Sequence, residues 1–324
     1  MRVFWWANMS YSKYLAISVS AVAVSIAAFM YWRRKQRKEF YPSGQVTGLY
    51  IYPVKSCKGV PLSSALCLDE GLLHDRRWII LNEKDRLVTA REKPKLQLVT
   101  PTLQTTSSGE LESLSLNAPN MDTLTIKMPL VNTTIKDISV YGLMAEVQYA
   151  GDEAAEWIAK YLNKPGYQLY HMTKPRYIAN DEIWGDIVKP DDKHGFADFS
   201  PLMITTEEAL SALNNELETA VSMRRFRPNI IVKGTKTFDE DNWKELKIND
   251  VRIRCYKNCA RCVMTTIDPD LGEKTGKEPL ETLKRTRMPE NRDKRFGDSP
   301  FFGVEGIADK QGIIKVGDAV FARQ

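Results

Sequence analysis

The chain has few groups of the kinds that usually build protein-only metal or redox centres. Its 324 residues include only three histidines, His74, His171 and His194, widely separated from one another and from the C-terminal cysteines. A structural zinc site needs four ligands, commonly two Cys pairs or a Cys/His set, and no second CxxC accompanies Cys259–Cys262. Five cysteines is an odd number, with Cys57 and Cys67 far from Cys255, Cys259 and Cys262. That is a poor disulfide framework and fits a reducing compartment. No glycine-rich nucleotide motif, repeat or low-complexity tract occurs. Acidic residues are missing from residues 1–38, which hold seven of the 46 basic residues; the remainder carries a net charge of −2. A near-neutral body gives no nucleic-acid footprint.

Long apolar runs are also scarce, with one exception. Tyr14 to Trp32 is nineteen residues without a charge, enough as a helix to cover roughly 28 Å, about a bilayer's hydrocarbon core. Trp5, Trp6 and Tyr14 precede it, Tyr31 and Trp32 close it, and Arg33-Arg34-Lys35-Gln36-Arg37-Lys38 follows. Interfacial aromatics and a basic C-terminal flank predict an N-terminal transmembrane helix with the main body on the cytosolic side. The rival reading is a cleaved signal peptide with Ala21-Val22-Ala23 at the cleavage site, which the basic cluster opposes.

Beyond the anchor, short β patterns dominate. Val46–Val54, Arg77–Leu81, Arg86–Ala90, Leu96–Leu103, Leu111–Leu116, Leu124–Met128 and Ile135–Tyr149 read as strands. A helix capped by Asp152 follows, with Ala154, Ile158 and Tyr161 on one face. Lys164-Pro165-Gly166 ends it. In the second half Thr205 and Glu208 predict a capping box ahead of Leu210, Leu213 and Leu217. Strands are expected at Ile230–Val232, Ile248–Cys255, Val263–Ile267 and Ile313–Phe321, and a short helix at Lys277–Lys284. The class is β-rich α+β, with curled or barrel-like sheets.

Cys255, Cys259 and Cys262 are spaced C-x3-C-x2-C. Buried structural cysteines are one reading. A radical-SAM cluster would place its triplet early, whereas 62 residues follow Cys262. A thioredoxin-like pair would want a helix next, and the β-branched stretch Val263–Ile267 comes instead. The remaining reading is a single thiolate, Cys262, offered to a metal cofactor as a soft ligand. Arg261 is then expected to help keep the sulfur ionised, with Thr265, Thr266 and Asp268 as surrounding hydrogen-bonding groups.

The run Cys259-Ala-Arg-Cys-Val-Met-Thr-Thr-Ile-Asp-Pro-Asp-Leu-Gly272, followed by Lys277–Lys284, resembles the C-terminal MOSC domain of the mitochondrial amidoxime-reducing components. Ile51–Gly59, Asp75-Arg76-Arg77-Trp78, Phe199-Ser200-Pro201, Phe226-Arg227-Pro228-Asn229-Ile230 and Ile314–Asp318 match in order. The resemblance implies a MOSC-type β-barrel and an N-terminal MOSC β-barrel-like domain. The expected division is an anchor at 1–40, the first domain at 45–163 and the MOSC domain at 165–324. It further implies a molybdenum ion on a molybdopterin (pyranopterin) dithiolene, ligated by Cys262. Lys55, Ser56, Arg76 and Arg227 would hold the cofactor's phosphate or pterin, and Ser200 and Asn229 would offer polar contacts. Phe199, Ala260 and Arg261, within the same motifs, complete the implied cofactor set, while Cys255 and Cys259 stay off the metal.

The implied chemistry is two-electron reduction of N-hydroxylated compounds, with electrons from cytochrome b5 and NADH-cytochrome b5 reductase, at the outer mitochondrial membrane. Substrate choice would lie in residues 171–199 and 284–303. The competing function is a membrane-tethered carrier of molybdenum cofactor or sulfur, with a persulfide on Cys262.

Overall fold

In the computed structural model, residues 39–178, 184–289, 295 and 298–324 are described. The expected transmembrane helix therefore lies outside the described residues, among which no helix is long and apolar enough to cross a membrane.

Seven strands close a barrel: β1 (Tyr41–Ile51), β2 (Leu202–Thr206), β3 (Ile230–Lys233), β4 (Glu245–Ile248), β5 (Val251–Ala260), β6 (Phe301–Lys310) and β7 (Ala319–Arg323). Around the ring the order is β1-β3-β2-β6-β5-β4-β7 and back to β1. Every contact is antiparallel except β2 with β3. Alternation along the strands sends Val46, Leu49, Ile204, Val232, Leu246, Ile253, Val304 and Val320 inward. Burying both ends of each pleat in a closed sheet leaves no free edge. Strand β1 comes from the N-terminal part of the chain yet hydrogen-bonds β3 and β7. Hydrogen bonding thus does not follow chain order: the barrel is completed by a strand that precedes the whole first half.

The other lobe holds a four-stranded sheet of Trp78–Leu81, Gln168–Met172, Leu143–Tyr149 and Ile135–Val140, and a three-stranded one of Thr100–Thr105, Leu111–Asn117 and Leu124–Lys127. Helix Asp152–Leu162 packs Ala154, Trp157 and Ile158 into its core.

Several local expectations shift. Asp152 is the first helical residue, not the cap; Gly151 caps with no side-chain bond, and Asp152 accepts from the Tyr149 hydroxyl at 2.8 Å instead. The second helix, Glu207–Asn214, is capped by Thr206, whose Oγ1 accepts from Ala209 N at 3.1 Å. Thr205 is held inside β2, and Glu208 turns away to accept from Gly234 N and Thr235 Oγ1. Arg86–Ala90 makes only an isolated bridge, Leu81 to Leu87. Val263–Thr266 is a 3₁₀ turn rather than a strand, because the Thr265 and Thr266 hydroxyls bond back to the Cys262 and Val263 carbonyls.

Candidate functional site

A cleft of about 150 Å³, open to solvent, lies where the outer wall of the barrel meets the other lobe. Lys55, Ser56, Arg76, Phe199, Ser200, Arg227, Asn229, Ala260, Arg261 and Cys262, dispersed over two hundred positions of sequence, all line it. None of the three histidines does.

The sulfur is set by the end of β5. After Ala260 pairs with Phe301, Arg261 N donates to Pro300 O at 2.8 Å and ends the ladder. The Cys262 carbonyl then accepts from both Thr265 N (3.1 Å) and Thr265 Oγ1 (3.0 Å). Two bonds on one carbonyl fix the backbone from which the thiol projects. Cys262 is the exposed cysteine; Cys57, Cys67, Cys255 and Cys259 are buried. Burial pushes the Cys255 thiol up to about 12 and the Cys259 thiol up to about 11, so both are protonated at neutral pH. Only two residues separate Cys259 from Cys262, yet they occupy opposite environments.

Arg261 does not serve the sulfur expected of it. Its Nη1 donates to Cys259 Sγ at 2.9 Å and its Nη2 to Phe226 O at 2.7 Å. The cation beside Cys262 is Arg91, with Nη1 4.0 Å from Sγ. Arg91 also donates to the Tyr141 hydroxyl at 2.6 Å and lies 3.8 Å from Asp198. Asp268, expected near the sulfur, instead pairs with Arg225 at 2.8 Å.

The remaining cations are held by protein acceptors. Lys55 Nζ donates to Phe196 O at 2.7 Å and to the Asp198 carboxylate. Burial pushes the Lys55 ammonium down, and Asp198 opposes that shift. Desolvation in the cleft would raise the Asp198 carboxyl, but Lys55, Arg91 and Arg76 hold it well below the usual carboxylate range. Arg227 donates to Cys57 O at 2.8 Å and stacks 4.2 Å from the Tyr52 ring centre; Arg76 stacks on the same ring at 4.7 Å. Desolvation brings Arg227 down to about 10, still charged at neutral pH. Ser56, Arg76 and Arg227 all have φ between 50° and 73°, a conformation that costs non-glycine residues energy and clusters at working sites.

Asn229 and Ser200 face inward. Asn229 Oδ1 accepts from Arg76 Nη1 (3.1 Å) and Met203 N (3.2 Å), while Nδ2 donates to Tyr50 O and Asp75 Oδ2, both at 3.1 Å. These four bonds use its whole inventory. Ser200 Oγ donates to Gly306 O at 2.6 Å. Phe199 packs its ring on Trp184 at 4.9 Å. Sequence reasoning missed Arg91, Tyr141 and Asp198. Asp198 abuts the Phe199-Ser200-Pro201 motif and was within reach of it; Arg91 and Tyr141 carry no sequence signal.

Residues 43–165 match the model of the MOSC N-terminal beta barrel domain, and residues 191–321 that of the MOSC domain. Together these span most of the chain. The chain belongs to the mitochondrial amidoxime-reducing component family of MOSC proteins. It is 38% identical over 312 residues to mitochondrial amidoxime-reducing component 1 of Homo sapiens, covering 94% of this chain and 91% of that one. With mitochondrial amidoxime reducing component 2 of Bos taurus the identity is 39% over 300 residues, covering 90% and 87%. The component 1 of Danio rerio is 34% identical over 325 residues, covering 97% and 95%. The MOSC barrel expected from the motifs is therefore the seven-stranded ring described above.

Proposed function

We propose that the protein is a molybdenum-cofactor-dependent reductase of N-hydroxylated compounds, with Cys262 as the protein ligand to the metal. The observation that carries this is the exposed Cys262 thiol at the edge of a cleft walled by Lys55, Arg76, Arg91 and Arg227. The names of its relatives, amidoxime-reducing components, give the reaction class.

The residues present fit such a cofactor. One thiolate is a soft donor, suited to a heavy transition metal that brings its other ligands with it. A phosphate-bearing pterin needs cations and N–H donors, and three cations face the cleft from positive-φ or buried positions. Arg261, which lines the cleft, keeps a buried Nε with no hydrogen-bond partner, a donor left over that a bound group would satisfy. When bound, the cofactor supplies a two-electron couple and a Lewis acid for the N–O oxygen.

The chain's own groups then have separable tasks. Thr265 fixes the backbone that aims Cys262. Arg91 places a positive charge 4.0 Å from the sulfur, where a thiolate gains from it. Arg76 and Arg227, braced on Tyr52, present guanidinium N–H groups of fixed orientation, and Asn229 holds Arg76 in place. Tyr141 and Arg91 form the mouth past which a small substrate enters. Reduction of an N–OH group to N–H and water consumes two electrons and two protons. No nucleotide motif occurs in this chain, so the electrons come from separate proteins, which the family resemblance implies are cytochrome b5 and NADH-cytochrome b5 reductase. Residues 14–32 anchor it in the outer mitochondrial membrane with the barrel in the cytosol, a reading supported by the basic flank at 33–38 and by the relatives' mitochondrial names.

The test is molybdenum content and N-reductase turnover of the purified protein with cytochrome b5 and its reductase. Cys262→Ser is expected to cut turnover at least about 100-fold. Full metal content and full activity in that variant would refute the assignment. Transfer of cofactor or sulfane sulfur to an acceptor, without turnover, would favour the carrier function.

A further inference from the structure

Across the ring from β2 and β3, the outer faces of β4 and β7 carry a surface quite unlike the cleft. The register places Pro42, Phe321, Lys247 and Arg252 in one row across β1, β7, β4 and β5. The next row sets Arg323 opposite Glu245. Phe40, at the start of the described chain, lies under Arg252 at 4.5 Å and Arg323 at 5.7 Å. Lys247 lies 6.0 Å from the Phe321 ring centre.

Arg252 and Arg323 thus share one carboxylate, Glu245, which pairs with Arg323 and sits 3.8 Å from Arg252. Lys247 and Arg252 are direct cross-strand partners. Like charges opposite each other destabilise a sheet, and an anion above the pair relieves the repulsion. Cations interleaved with aromatic rings are also what an interface of headgroups and acyl chains favours.

The tether decides which anion. Between Trp32, the end of the uncharged stretch, and Phe40 the chain spans at most roughly 28 Å, and six residues of that span are Arg33-Arg34-Lys35-Gln36-Arg37-Lys38. If residues 14–32 cross a bilayer, the wall at which Phe40 enters is the wall held beside it. We infer that this wall, Phe40, Lys247, Arg252, Phe321 and Arg323, rests on anionic lipid headgroups of the membrane that holds the N-terminus. The inference rests on the anchor assigned under the proposed function. Its consequence is orientation. The cleft is lined by Met203 of β2, Glu305 of β6 and the Cys259–Cys262 end of β5, seven or more residues along that strand from Arg252, roughly 24 Å in an extended strand, so Cys262 is held away from the resting wall, accessible to a soluble electron-donor domain and to polar substrates.

The experiment uses the full chain in lipid nanodiscs, with a photo-cross-linking benzophenone amino acid at Phe321, at Leu271 near the cleft, or at Ala21 within the uncharged stretch. With phosphatidylserine in the bilayer, lipid adducts at 321 should exceed those at 271 at least fivefold. They should fall to the 271 level in a Lys247→Glu/Arg252→Glu background or in pure phosphatidylcholine. Adducts at 21 with none above background at 321 would overturn the resting face and leave the anchor standing. No adducts at 21 would overturn the anchor itself.

Discussion

The two arcs of the barrel wall treat positive charge in opposite ways. Around the cleft, Arg91 apart, the cations are held largely out of solvent and tied to particular acceptors: Lys55 to Phe196 O and Asp198, Arg227 to Cys57 O, Arg76 to Asp75 and Asn229. On the far arc Lys247, Arg252 and Arg323 are half-exposed; the two arginines meet at one carboxylate, Glu245, and Lys247 lies over the Phe321 ring. Burying a charge is costly unless it is hydrogen-bonded, so the cleft cations are oriented before any ligand arrives. Exposed cations are screened and free to rotate. The first arrangement suits one rigid anion in one pose; the second suits a fluid layer of many.

That difference can be broken from beneath. Trp243, 2% exposed, packs in the barrel core. Trp243→Ala should lower unfolding free energy by about 3–5 kcal/mol, measured by urea titration, with unchanged molybdenum per folded molecule. A selective loss of metal instead would mean that the core and the cleft are coupled.

Glu240 probes the support behind the cleft. It is buried and accepts from Thr206 Oγ1 at 3.1 Å, and burial raises its carboxyl to about 7. Because the folded value lies above the unfolded one, its contribution is full below pH of about 4.5 and is lost as pH rises through 7. The loss should be on the order of 3 kcal/mol across that window. Glu240→Gln should flatten the stability–pH curve there; an unchanged slope would assign the effect elsewhere.

A pair of single substitutions compares the arcs directly. Arg227→Ala should increase cofactor loss on gel filtration on the order of 10- to 100-fold, about 1.4–2.7 kcal/mol. Lys247→Ala should leave retention unchanged. Equal losses would erase the distinction. Smallest of all, Lys310→Ala removes an exposed pair with Asp250 at 3.4 Å and should shift stability by no more than about 0.5 kcal/mol.

Much of the cleft was legible because its residues sit in ordered motifs: Lys55 and Ser56 after the first strand, Arg76 before Trp78, Arg227 and Asn229 flanking Pro228, Cys262 just after the strand that ends at Ala260. What escaped was what only the tertiary structure brings in. Arg91 reaches the sulfur from the other lobe, with Tyr141 hydrogen-bonded behind it, and nothing local marks either. Arg261 was misdirected by proximity: adjacent residues on an extended segment point to opposite sides, so it serves Cys259. Apolar, β-branched Val263–Ile267 reads as a strand, and two threonine hydroxyls bonding backwards make it a turn. The barrel's closure by β1 was invisible for the same reason, since strand pairing over about 190 residues leaves no periodic trace.

The central claim is the bond between Cys262 and the metal. X-ray absorption at the molybdenum K-edge of the cofactor-loaded full chain tests it most directly. The account predicts one sulfur neighbour more than the dithiolene supplies, absent from Cys262→Ser loaded in the same way. An identical sulfur shell in the two proteins would contradict it.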